Sequence, residues 1–537
     1  MNHHQSQKRQ IVVSILITCI TFGSVCFAES ALPSESGDAA PVGALMTWRV
    51  TVDRGQDVGQ SFGSLFEVQT TDGTMTIGAG FQNAYNTRYR ADRHAVQFFV
   101  RSADETTPVE VTLLPRPNQL CGTYLYSRDE VLYSTYGGVR TWDANAGVWQ
   151  KSKEIGGTEE TMRVGSGTLE FGDSTVRYEG RTILEPPQVG SYQLFFYSNG
   201  HLCFYHVNRG EGVYRPYVSD MDGFSRLYAC PWTPEDAAVD LSRAIAMTLP
   251  IVGETTFAWG QYGQQILTGS NVGGFYVLEN GAWSMLLKPQ LGVSYQLYST
   301  MSFGDRLMMG QYPTGRLFEY DGKMISDRSG WPPLLEGVSS SAREAQTTAV
   351  CGGEMFVGVW PWGELWRYHP DKEAWKFQQR MFSHPELSTA IVHPYDEENQ
   401  KHDVSNLWGQ RITSLVPIGD SLYVSTSAKA PAEWSPERFP FLNEDDKWKS
   451  YGSVYRLKIP GHLGASTRWT SGASVFEFTI SREQIVIKQD GEQIGAAALT
   501  GSTVERLKRN PEFRAVRWGD GIYGKFSGRR IEGTLVP

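Results

Sequence analysis

Cysteine is scarce. The chain has six in 537 residues, and Cys19 and Cys26 lie in an N-terminal segment expected to be removed. The other four, Cys121, Cys203, Cys230 and Cys351, are too few for a disulfide scaffold in so long a chain. Cys203 and Cys230 fall on strands expected to be neighbours, so one bridge and a set of buried free thiols stand as alternatives. Long helical patterns are nearly absent. After the first thirty or so residues no apolar run approaches the ~20 residues a membrane span needs. Positive charge is in deficit: the net charge is −9, and losing Lys8 and Arg9 with the leader makes it more negative. An acidic surface argues against nucleic acid and anionic lipid as partners. Zinc-protease, Cys-x-x-Cys, phosphate-loop and dinucleotide motifs are all missing. Residues 59–63 match G-x-S-x-G, but a strand is expected after them where that motif requires a helix.

What is present begins with a targeting signal. Lys8 and Arg9 precede an apolar run from Ile11 to about Phe22, and Ala28 offers a small residue for cleavage. Residues 1–28 are therefore expected to be a signal peptide and 29–43, rich in Ser, Ala, Pro and Gly, a flexible leader. The mature chain is expected to be secreted or periplasmic, monomeric, and without a membrane span. Its 56 Gly, 16 Trp, 25 Tyr and 25 Phe mark a turn-rich, aromatic-rich β protein.

One unit recurs. Its clearest copy spans 305–321: a turn, a strand, a loop carrying Tyr312-Pro313, a glycine, a second strand and another turn. Seven copies of four short strands, A to D, are legible from about Gly63. Equivalent glycines at 274, 315 and 363 lie 41 and 48 positions apart. Four strands per period of that length is the signature of a β-propeller blade, because a single blade cannot cover its two apolar faces without neighbours. The expected fold is all-β: a seven-bladed β-propeller over 44–460 with a small β-rich C-terminal appendage over 461–537. The seventh copy lacks a clear fourth strand, and 46–52 or a strand after Trp469 is expected to supply it. In the tail, 502–505 reads as a capping box opening a short helix that Asn510-Pro511 ends.

Gly137-Gly138 followed by Trp142-Asp143 and Trp149 resembles a kelch repeat, as does Tyr368-His369-Pro370 followed by Trp375. The resemblance covers the blades alone. It is loose, since the sixth copy loses the double glycine and the fifth lacks the late Trp. It implies a fold and no activity.

Strands in a blade run up and down, so A–B and C–D turns share one face while B–C and D–A loops share the other. The A–B and C–D turns are minimal here. The long insertions, at 82–94, 150–190, 208–222, 328–346, 379–410 and 427–452, fall in B–C or D–A loops. Elaborated loops on a rigid scaffold are where binding and catalysis are usually placed. The aromatic residues Tyr89, Tyr136, Tyr312, Trp360, Trp362, Trp434 and Trp448 map to that face and are the candidate binding residues. Exposed Trp and Tyr stack on sugar rings or anchor a protein partner, although the same residues also fill inter-blade grooves.

The chain has ten histidines, and His384, His393 and His402 fall close together after His369. With Glu386, Asp396 and Asp403 among them, they are candidates for a divalent metal or a general base, though their nine-residue spacing matches no compact metal motif. The leading expectation is an exported propeller that binds a glycan or an extracytoplasmic protein. The rival is a polysaccharide lyase or glycoside hydrolase using the His-rich loop, with or without metal.

Overall fold

The computed structural model describes residues 44–532 apart from 54–63, 83, 87–90, 93, 105, 154–160, 210–213, 293–295, 337–342, 385–408, 429–435, 438–449, 510–511 and 519–524. The expected signal peptide and leader lie outside the described residues. Regular structure is almost wholly antiparallel β, and among the described residues the one α-helix is Gly501–Arg509. Its cap is Thr500, whose Oγ1 accepts from the Thr503 N–H at 3.3 Å, two residues before the cap expected at 502.

Seven sheets are built on four strands each, one of them extended by a fifth strand, and six of the seven are meanders in chain order. Sheet one begins with Tyr124–Arg128 and ends with Val148–Lys151; sheet two runs from Thr161–Val164 to Arg181–Leu184; sheet three from Ser191–Ser198 to Ile245–Thr248. Sheet four spans Thr256–Tyr262 to Ala282–Leu287, sheet five Gln296–Phe303 to Ile325–Arg328, and sheet six Glu344–Cys351 to Ala374–Arg380. Sheet seven takes Arg411–Ile418, Ser421–Ser427 and Val454–Lys458 and is completed by Glu110–Leu114 from far upstream. Local chemistry sets the hairpins. Asn199-Gly200 and Asn280-Gly281 all have positive φ, the backbone that two-residue hairpin turns require.

The first strands of sheets three, four, five, six, seven and one pack side by side in that order. Apolar clusters fill the gaps between sheets. Leu267, Phe275, Leu297 and Leu307 join sheets four and five; Phe356, Leu365, Leu415 and Leu422 join six and seven; Leu125, Leu132, Val416 and Val454 join seven and one. The approach is closest at glycines: a Cβ on Gly310 would collide with the Ala345 carbonyl of the next sheet, and one on Gly358 would lie 2.8 Å from the Ile412 Cβ.

Three expectations are corrected. The strand at 46–52 does not complete the seventh copy. It belongs to Ala44–Asp53, which pairs with Ser474–Ser481 on one side and Lys525–Glu532 on the other. The first copy is not one of the seven sheets: Ser64–Thr70, Met75–Phe81 and Ala95–Ser102 pair with His462–Ser466 and Phe513–Trp518 in a five-stranded sheet. That sheet packs on a second of five strands, Ala44–Asp53 with four segments from 474 onward. Trp48, Phe66, Phe98 and Phe478 form their shared core, with Trp48 stacked on Phe66 at 5.7 Å. The physical reason is burial: both chain ends carry strands with one strongly apolar face, and each covers the other's. Finally, the presumed insertion at 150–190 holds sheet two, whose alternating Met162, Val164, Leu169, Val176 and Tyr178 are buried against sheet three.

The two five-stranded sheets seat against the short-turn ends of sheets five to seven. Arg101 donates to Asp371 at 2.8 Å and to the Gly353 carbonyl. The Gly352 N–H donates to His462 Nδ1 at 3.1 Å. Gly464 and Gly419 exchange backbone hydrogen bonds of 2.7 and 3.2 Å. Between the strands at 75–81 and 95–102 the chain rises to form Ala84–Asn86, which pairs with Gln296–Phe303. The insertion at 82–94 is thus a connection of the two-sheet unit, and its Tyr85 is buried edge-on against Phe196 at 5.8 Å.

Candidate functional site

Each sheet's first strand runs from the long-loop end toward the short-turn end. The residues that open these strands therefore gather at the long-loop end. In sheets one, four, five, six and seven they are Tyr124, Phe257, Tyr298, Glu344 and Arg411.

Their side chains meet. Arg411 Nη2 donates to both Glu344 oxygens, at 3.2 and 3.0 Å, and both residues are buried. Burial alone would lower the guanidinium pKa. The Glu344 carboxylate, with Tyr298 and Tyr124 adding to it, outweighs that and holds it above the ordinary value. Phe257 stacks on Tyr298 at 5.0 Å, Tyr298 meets Tyr312 edge-on at 6.3 Å, and Tyr124 meets Tyr136 at 5.8 Å. Phe257, Tyr298 and Tyr312 are half-buried and Tyr136 is exposed, so water reaches these rings. One step along the fifth sheet's first strand, Ser299, Thr300 and Met301 pair with Ala84–Asn86, which places that segment beneath the rings.

The Trp360-Pro361-Trp362 tip is not an exposed shelf. Trp360 and Trp362 are 2% and 1% exposed. The reason is a connection made twice. The turn 312–315 of sheet five is bridged through Thr314 to Arg343, just ahead of sheet six. The turn 360–363 of sheet six is bridged through Trp362 to Gln410, just ahead of sheet seven. Arg380 lies over the Trp362 ring at 4.9 Å, donates to the Trp362 carbonyl at 3.0 Å and to Gln410 Oε1 at 2.7 Å. Burial brings its pKa down to about 10, against the pull of Tyr451 and Glu364. Arg343 pairs with Glu364 at 3.0 Å, and Trp366 Nε1 donates to the same carboxylate at 2.6 Å. These groups tie sheet to sheet.

Of the other expected site residues, Tyr89, Trp434, Trp448, His393 and His402 lie outside the described residues. His384 is half-buried, with Nδ1 2.9 Å from Ser383 Oγ. His369 is buried where sheet six meets the two-sheet unit, its Nε2 3.0 Å from the Ser102 carbonyl. No group of three His, Cys, Asp or Glu able to hold a metal occurs among the described residues. Nor is any described helix long and apolar enough to cross a membrane.

Of the predicted set, Tyr312 lies against Tyr298 and Tyr136 against Tyr124. Tyr124, Phe257, Tyr298, Glu344 and Arg411 were missed by the sequence reading, which looked for function in loops. Their signal was position: each stands at or beside the start of the first strand of its copy.

No family model matches the chain, and no curated protein matches it. Among solved structures, it is similar to the computationally designed Ika8 protein, at 12% identity over 75% of this chain and 100% of that one, with a TM-score of 0.33. It is also similar to YCF48 bound to D1 peptide, at 11% identity over 66% and 97% of the two chains and a TM-score of 0.29. BamB from Moraxella catarrhalis follows at 9% identity, 76% and 98% coverage, and a TM-score of 0.28. At these identities no residue role passes from them to this chain.

Proposed function

We propose that this is an exported seven-bladed β-propeller, loosely kelch-like, that binds a glycan or an extracytoplasmic protein through its long-loop face. The blades are sheets one to seven. Sheet seven closes the ring by borrowing Glu110–Leu114 from the segment that leads into sheet one. The outer-strand contacts Trp142–Trp149 at 5.3 Å and Tyr368–Trp375 at 5.2 Å support the kelch likeness.

One observation carries the binding reading: half-exposed Phe257, Tyr298 and Tyr312, with exposed Tyr136, surround a buried Arg411–Glu344 pair. Aromatic rings reached by water at the mouth of a rigid scaffold stack on sugar rings or seat an apolar side chain. The opposite ends of sheets five to seven are covered by the two-sheet unit, which leaves this face to a partner. Glu344 is held by two hydrogen bonds from one guanidinium, an arrangement that fixes a carboxylate as an ion pair rather than freeing it as a proton donor. Binding is thus favoured over acid catalysis.

The test is a glycan array together with pull-down from the native extracytoplasmic fraction, using the mature chain and a Phe257→Ala/Tyr298→Ala variant. Loss of the captured ligand with an unchanged melting profile is expected. Undiminished capture by the variant would sink the assignment of this site.

A further inference from the structure

Adjacent sheets in the series from two round to seven, and seven with one, share apolar clusters. Among the described residues no such cluster joins sheets one and two. What joins them is polar: Arg163 reaches Asp129 at 2.7 Å and also pairs with Asp92, and Arg128 Nη2 donates to Thr161 Oγ1 at 2.9 Å. Beside these bridges lies an open groove of about 680 Å³, within the ~300–1,000 Å³ typical of ligand sites.

The strand period explains why it stays open. In sheet two every second side chain turns toward sheet three and is buried. The alternate set, including Thr168, Glu170 and Arg177, turns the other way and lines the groove with Arg128 and Lys153 of sheet one's side. Lys153, Glu170 and Arg177 are exposed, and no ion pair involves them among the described residues. Glu170 and Arg177 are cross-strand partners, so an acceptor and a cation sit side by side on one surface.

We infer that this groove binds a carboxylated oligosaccharide, a sugar chain carrying uronate groups. The chemistry of the lining selects it. Cations at 128, 153 and 177 meet carboxylates, and Arg does so through paired hydrogen bonds. Glu170 and the Thr168 hydroxyl accept hydrogen bonds from sugar hydroxyls, of which each sugar residue carries several where a residue of an acidic peptide offers its one backbone N–H. A folded protein partner would want a centre depleted of charge, whereas Arg128, Lys153, Glu170, Arg177 and Glu179 line this groove beside a single aromatic ring, Phe171. The site lies in the seam between sheets, apart from the aromatic mouth, and stands whether or not the mouth binds anything.

Titration calorimetry with tetragalacturonate decides it. The mature chain should bind, and more weakly as salt rises. Lys153→Ala/Arg177→Ala should weaken binding by at least about tenfold, as removal of two charge-assisted contacts requires, while Phe257→Ala/Tyr298→Ala should leave it unchanged. All the altered side chains of the seam are exposed, so a circular dichroism melt of the double variant should match the parent. Absence of heat with tetragalacturonate at millimolar concentration overturns the inference. So does equal binding of neutral maltotetraose or of tetraglutamate, or a Lys153/Arg177 variant that binds like the parent.

Discussion

Arg101 of the two-sheet unit donates to Asp371 of sheet six at 2.8 Å, with Arg101 2% and Asp371 15% exposed. The residues are 270 positions apart in sequence, and their pairing fastens one part of the molecule to the other. The Arg101 guanidinium also bonds to the Gly353 carbonyl and lies 5.1 Å from the Phe99 ring centroid.

Removing one member of a buried pair leaves the other desolvated and unpaired. Arg101→Ala is therefore expected to destabilise the fold by about 3–5 kcal/mol, read as a lower urea midpoint. Arg101→Ala combined with Asp371→Ala should cost less than the sum of the two singles. Strict additivity would show that the contact is not made in solution.

In a chain without residues 1–28, the four cysteines should all be free, even under oxidising conditions. Cys203 stands opposite Ala229 and Cys230 opposite Leu202. The two thiols therefore project from opposite faces of sheet three and cannot bridge. All four are buried, and burial pushes Cys230 up to about 12. Thiol titration should find four reactive groups in denaturant and close to none in the native protein. A mass two hydrogens short would contradict this.

Stability should fall with acid through one identifiable group. Burial pushes the His462 imidazole down to about 4, with Asp420 opposing the shift, and its Nδ1 accepts from the Gly352 N–H. An unfolded histidine titrates near 6.5. The unfolded chain therefore takes up a proton between roughly pH 6.5 and 4 that the folded chain refuses. The contribution is complete above about 6.5, is lost as pH falls, and levels off near 4; its size is on the order of 3 kcal/mol. His462→Gln keeps an acceptor and removes the titration, so its melting temperature should vary less with pH over that window. An unaltered slope in the variant would rule His462 out.

Gly310→Ala should loosen the seam between sheets five and six. A methyl there would collide with the backbone oxygen of Ala345, which cannot turn aside as a flexible side chain does. Overpacking of this kind costs about 1–3 kcal/mol. Gly73→Ala is a control that meets nothing within 4 Å but carries a φ of +76°, so it reports backbone strain alone. Thermal melts of the two separate the effects, and a Gly310→Ala variant as stable as the parent would disprove the close approach.

Much of the local structure could be read directly. The strand-turn-strand units at 256–287, 296–328 and 344–380 stand where alternation and Gly or Asn turns put them, because a hairpin depends on residues close in sequence. The site was less legible. Tyr312 and Trp360 occupy the same place in successive copies, yet Tyr312 is half-buried beside the mouth and Trp360 is 2% exposed. The difference lies in which neighbour packs on each, and a single copy's residues carry no record of that. Sheet two went unread because its strands are only three to five residues long and sit between two better-marked copies.

By itself the amino-acid order determined the β class, the four-strand unit and its hairpins, since each rests on side-chain alternation and turn residues within a few positions. Tertiary structure alone decided which strands are shared between distant parts of the chain. Glu110–Leu114 completes sheet seven, and Ala44–Asp53 lies between strands from the other terminus. An edge strand is satisfied by whichever unpaired backbone and apolar face reach it first in space, and that choice is made between surfaces, after the strands exist.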